Sequence, residues 1–208
     1  MEVTFLTHDK YFLKKMEGLS FGRWLFFSVW IAENLYKQYG EDLRPLFLEE
    51  EDLDLREVLA FLWYAVEKAN AGGEATINGG HTLALDTPLA LDEELIAGYA
   101  EGLENDDIYG DLDQTDSQGM GQASLISALY NSLKFIQTRN TKLVAAAAYF
   151  PMDIIDCVLT NDLNLPPEKS TIDHPMYQTE LATQDRMIDY LQSGGEAGEA
   201  QKVLFRTA

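Results

Sequence analysis

Apolar positions recur at helical spacing along nearly the whole chain. After Ser20, placed to cap a helix, Trp24, Phe27, Ile31 and Leu35 step by three and four residues. Leu25, Phe26, Val29 and Trp30 widen that stripe until the helix is apolar almost all round, which predicts a central core element. Gly40 is expected to end it as a left-handed C-terminal cap. The next helix has the clearest start. Asp54 and Glu57 are spaced as a capping box, with Leu53 and Val58 placed as a hydrophobic staple. Leu55, Val58, Leu59, Leu62, Val66 and Ala69 then form its inward stripe.

The period breaks between Glu74 and Asp86, where Asn78, Gly79 and Gly80 mark a turn that a short hairpin could use. Leu91, Leu95, Tyr99 and Leu103 predict a short acidic helix, followed by a loop from Glu104 to Ser117. Met120 to Leu133 predicts a strong helix capped by Asp116 or Ser117. A second begins near Thr141, and Pro151 must kink or divide it, because proline removes a backbone donor and crowds the preceding turn. A last long helix runs from about Met176 to Gln192 behind His174-Pro175. The expected fold class is all-α: one domain over residues 1–208, a bundle of about seven or eight helices. It carries a loop-rich insert at about 72–116 and a tail helix at 195–206.

Charge changes this picture most. Fifteen basic against 35 acidic residues give a net charge of −20. No Lys or Arg occurs between Lys68 and Lys134, an interval with twelve acids from Glu74 to Asp116. Such a field disfavours nucleic acid and anionic lipid and favours basic partners. The single cysteine, Cys157, permits neither an internal disulfide nor a thiolate zinc cluster, and points to a reducing compartment. No targeting segment is visible, and the apolar run Trp24 to Ala32, at nine residues, is far below the roughly 20 that cross a bilayer. A cytoplasmic protein outside the membrane is expected.

Motifs for chemistry are few. Asp106, Asp107, Asp111, Asp113 and Asp116 invite a calcium loop. Counting from Asp111, however, the glycine position of that loop holds Asp116 and the bidentate glutamate position holds Gln122, so an acidic cap on the next helix fits better. His8, His81 and His174 are too scattered for helical metal ligands. The apolar surroundings of Cys157 suit a core thiol. Gly119 and Gly121 lack the lysine and hydroxyl of a phosphate loop, and no nucleophile elbow occurs. Asp153 with Asp156, and Asp185 with Asp189, are pairs that could share a proton if buried, though such pairs are usually solvated. No catalytic residue, metal ligand or cofactor is assigned.

Three segments resemble the YjaG-like family of bacterial helical proteins, which has no assigned biochemical activity. Ala32-Glu33-Asn34-Leu35-Tyr36-Lys37-Gln38-Tyr39 is similar to that family's early Glu-Arg-x-Tyr-x-x-Tyr motif, with Asn34 in place of the arginine. Arg56-Glu57-Val58-Leu59 before Leu62-Trp63 resembles its second-helix pattern, and Pro175 with Gln178, Glu180 and Gln184 before Ile188 and Leu191 resembles its late Pro-x-x-x-x-Glu-x-x-x-Gln element. The resemblance implies a helical bundle in the bacterial cytoplasm and supplies no catalytic residues. Related helical families are classed by genomic context as immunity proteins of polymorphic toxin systems, which suggests such a role for this chain only indirectly.

The expectation is therefore a non-enzymatic, acidic interaction protein with a basic protein partner, an immunity protein in its most specific form. Asp106, Asp107, Asp111 and Asp113 would form the partner surface. The alternative is a ligand-binding protein or enzyme with a pocket between helices near Glu33, His174, Glu180 and Gln184. A homo-oligomer is a third reading, since the Trp24–Trp30 face is wider than one neighbouring helix can cover.

Overall fold

The computed structural model describes residues 7–72, 75–78, 81–85, 89–166 and 171–206. It is an all-α bundle. In chain order the helices are α1 (His8–Lys15), α2 (Phe21–Leu35), α3 (Glu41–Glu50), α4 (Leu55–Ala71), α5 (Glu93–Leu103), α6 (Asp106–Asp111), α7 (Ser117–Thr138), α8 (Thr141–Cys157) and α9 (Pro175–Gln192). One hairpin, β1 (Ala75–Asn78) with β2 (Thr82–Leu85), lies between α4 and α5.

The wide apolar face of α2 is spent inside the chain. All of its residues except Arg23 and Asn34 are buried, and α4, α7, α8 and α9 pack around it. Each large apolar side chain sealed there contributes about 1.5–3 kcal/mol, which makes α2 the anchor of the bundle. The breadth that suggested a second copy of the chain is thus explained by internal neighbours.

Gly40 does not end α2. Its backbone is right-handed (φ −72°), and the chain passes through one π turn, Tyr36–Gly40, straight into α3. Glycine is needed there for a different reason: a Cβ would lie 2.4 Å from the Tyr36 ring. Nor does Pro151 divide α8, which runs unbroken from Thr141 to Cys157 and then through a second π turn, Val158–Asp162. Among the described residues this rod, Thr141–Asp162, is the one helix long and apolar enough to cross a membrane, and half of its apolar window is buried in the fold.

Starts were easier to read than stops. Asp54 accepts from the Arg56 amide, Asp116 from the Gly119 amide, and the His174 ring from the Met176 amide at 3.3 Å. Ser20 occupies its cap position without a side-chain bond. Three stretches differ from expectation. The loop after Glu104 contains α6, capped by Asn105. The inward face of α5 is Ile96, Ala100 and Leu103, while Leu95 points outward. In place of a tail helix there is a single 3-10 turn, Glu199–Gln201, followed by turns. The hairpin docks on the α7–α8 junction: Leu83 N–H donates to Arg139 O (3.0 Å) and Thr141 N–H to His81 O (2.7 Å).

Candidate functional site

Glu33 and Glu180 are both buried. Glu33 on α2 accepts from Trp63 Nε1 at 2.9 Å, with Lys37 Nζ at 3.7 Å and Lys202 Nζ at 3.9 Å. Glu180 on α9 is held by both ends of the Arg206 guanidinium and by Gln184 Nε2 at 2.8 Å, which also donates to Ala148 O. The Arg206 guanidinium lies 4.2 Å from the centre of the Trp30 ring, whose Nε1 donates to Leu204 O. The C-terminal tail thus carries one cation to each buried glutamate. Glu180 and Gln184 do come together, but as part of the latch that holds the tail. Lys202 and Arg206 are the latch itself. His174 stands apart as the cap of α9.

The four acids named for a partner surface, Asp106, Asp107, Asp111 and Asp113, are all exposed. Asp106 and Asp107 sit in the first turn of α6, where the helix dipole favours them. Asp113 accepts from the amide and hydroxyl of Thr115, which hold its carboxyl below the usual range. Among the described residues, no three His, Cys, Asp or Glu side chains are arranged to hold a metal ion.

Beside this acidic segment lies a polar cleft of about 300 Å³. Ser124 and Ser127 of α7, Asp153, Asp156 and Cys157 of α8, and Thr160 and Asn161 of the second π turn form its walls, with Tyr109 and Gln114 at its edge. Asn161 Nδ2 donates to Thr115 O (2.9 Å), tying the acidic loop to the π turn. Asp156 accepts from Tyr177 Oη at 3.0 Å. Asp153 differs. It is half-buried, no hydrogen-bond donor reaches it among the described residues, and burial followed by the charge of Asp156 pushes its carboxyl up to about 6. No Lys or Arg lines the cleft among the described residues.

No family model, curated protein or solved structure matches this chain.

The cleft is therefore read from its own chemistry. Burial raises the Cys157 thiol, more than Asn161 lowers it, so it is held as the un-ionised thiol rather than a nucleophile. No histidine lines the walls among the described residues to activate a hydroxyl. What remains is a carboxylate in want of donors, with a second beside it, at the edge of an acidic surface. That arrangement suits a cation. The sequence shows Asp153 and Asp156 three residues apart on one helical face, but it does not show that one of them is desolvated. The signal available in advance was the apolar company of Asp153, between Met152 and Ile154.

Proposed function

We propose that this is a non-enzymatic binding protein that seats a basic side chain of a partner protein in the Asp153–Asp156 cleft. The observation that carries the reading is Asp153, a half-buried carboxylate pushed up to about 6 with no donor of its own. An arriving guanidinium or ammonium supplies both the missing charge and the missing hydrogen bonds, and charge-assisted bonds are the strong ones. The exposed carboxylates of Asp106, Asp107, Asp111 and Asp113 on the neighbouring segment steer such a partner toward the cleft. The same field opposes nucleic acid and anionic lipid. The resemblance to YjaG-like proteins and their immunity-linked relatives supports a bacterial cytoplasmic setting. There a nuclease toxin with a basic active site is a partner of this chemistry.

The test is an NMR titration with a hexa-arginine peptide, with hexa-glutamate as control. The reading expects saturable shifts at Asp153, Asp156 and Thr160, weakened roughly tenfold by Asp153→Asn and lost at high salt. Shifts spread evenly over the acidic surface and indifferent to Asp153→Asn would sink it.

A further inference from the structure

A second cleft, of about 450 Å³, opens between α5 and α7. Its described walls are Leu89, Leu91, Ile96, Ala97 and Ile136, with Gln137, Glu93 and Arg139 as the polar groups. The volume is within the range of small-molecule sites, and an apolar lining with few polar groups is their usual composition. Arg139 is the unusual member. Its Nε is buried with no hydrogen-bond partner, and its side chain makes no ion pair among the described residues, in a protein of net charge −20. Glu93 shares the cleft without coming within ion-pair distance of it. A buried guanidinium nitrogen left without an acceptor is costly, and a ligand carboxylate is the acceptor that matches a guanidinium in a two-pronged fit.

The backbone adds an independent observation. Arg139 ends α7 in the left-handed region (φ 57°), the position that glycine or asparagine fills most cheaply. A non-glycine residue there carries backbone strain, and strained residues cluster at ligand clamps. Its own amide and carbonyl are occupied, by Phe135 O and by the Leu83 amide, so the backbone position is fixed by α7 and the hairpin.

We infer that the α5–α7 cleft binds a small amphipathic carboxylate, its apolar chain against Ile96 and Ile136 and its carboxylate on Arg139. The site is independent of the Asp153 cleft and stands or falls without it. Octanoate is the probe, with 1-octanol and octylammonium as neutral and cationic counterparts, measured by calorimetry on the full chain. Saturable octanoate binding is expected, at least roughly tenfold tighter than either counterpart. Arg139→Gly separates ligand role from structural role, because glycine relieves the left-handed strain. This variant is expected to melt no lower than the parent without ligand, yet to lose octanoate binding at least tenfold. Ala97→Trp, on the exposed rim of the cleft, is expected to block binding while leaving the fold intact. No saturable binding up to about 10 mM, equal binding of octanol, or full binding by Arg139→Gly would each overturn the inference.

Discussion

Arg206 and Glu180 meet as a two-pronged ion pair at the protein's interior edge, with Arg206 Nη2 2.9 Å from Glu180 Oε1 and both side chains largely shielded from water. The pair joins the last described residues to α9, while the face of the same guanidinium stacks on Trp30 of α2. A buried pair broken from one side leaves the other charge uncompensated. The two sides are not equivalent here. Glu180→Ala strands Arg206 beside an indole, and should cost about 3 kcal/mol in urea unfolding. Arg206→Met should cost less, about 1–2 kcal/mol, because the freed tail can swing out and let water reach Glu180. Both variants should expose the tail to protease. A loss below about 0.5 kcal/mol for both would show that the tail is held by other contacts.

The contrast between Asp54 and Gly40 shows how far the sequence could be read. A cap is local: Asp54 needs only the Arg56 amide two residues ahead of it, so its role is legible from neighbouring residues. Gly40 looks like an equally local stop signal, yet it answers to the Tyr36 ring stacked over it and the helix runs on through a π turn. Periodicity misled at α5 for a related reason. A strict spacing of four drifts around a helix, so Leu95 turns out to solvent while Ile96 and Ala100 face inward. The two clefts were less legible still. Each is assembled from segments tens of residues apart, and what distinguishes Asp153 and Arg139 is a missing partner, which no spacing along the chain records.

Two glycines in helices should respond to alanine with opposite signs. Gly98 lies on the exposed side of α5 and a Cβ there would meet nothing within 4 Å. Gly98→Ala should therefore stabilise by about 0.5–1 kcal/mol through helix propensity alone. Gly121 on α7 is covered by the ring of Tyr39 from the first π turn, with a Cβ placed 2.3 Å from Tyr39 Cζ. Gly121→Ala must push that ring aside and should cost about 2 kcal/mol. Urea midpoints at constant slope check both. A neutral Gly121→Ala would mean that Tyr39 has room to move.

His8 should give the fold a pH dependence on the acid side of neutrality. It is buried, stacked near Phe12 and edge-on to Tyr149, with Gln184, Glu180 and Asp9 as its polar surroundings. Burial lowers its pKa more than those groups raise it, and Asp9 comes no nearer than 3.8 Å to Nδ1. A histidine held neutral in the fold binds its proton more readily when unfolded. Its contribution is therefore complete above the unfolded value near 6.5 and is lost as pH falls below it. His8→Leu removes the titration, so the variant should lose less stability than the parent between pH 7 and pH 5. Parallel stability curves for the two proteins would count against a buried neutral His8.

Asp153 should act with the opposite sign, which lets the two be separated. Its carboxyl is pushed up to about 6 in the fold, against about 3.9 when unfolded. The folded state thus holds the proton more tightly, and stability is lost as pH rises through this window and stays lost above it. The penalty at pH 7 is on the order of 2 kcal/mol, since the group is only half-buried. Asp153→Asn keeps the shape without the charge. It should stabilise the fold by about 1–2 kcal/mol at pH 7 and leave it nearly unchanged near pH 3, below both values, where the parent is protonated folded and unfolded alike. The same desolvation makes the site responsive to a ligand. A cation entering the cleft lowers the Asp153 pKa, so at pH 6 binding of hexa-arginine should release a fraction of a proton. Calorimetry in two buffers of different ionisation enthalpy reads that proton directly. Binding heats that are equal in both buffers would place the peptide away from Asp153, whatever its affinity.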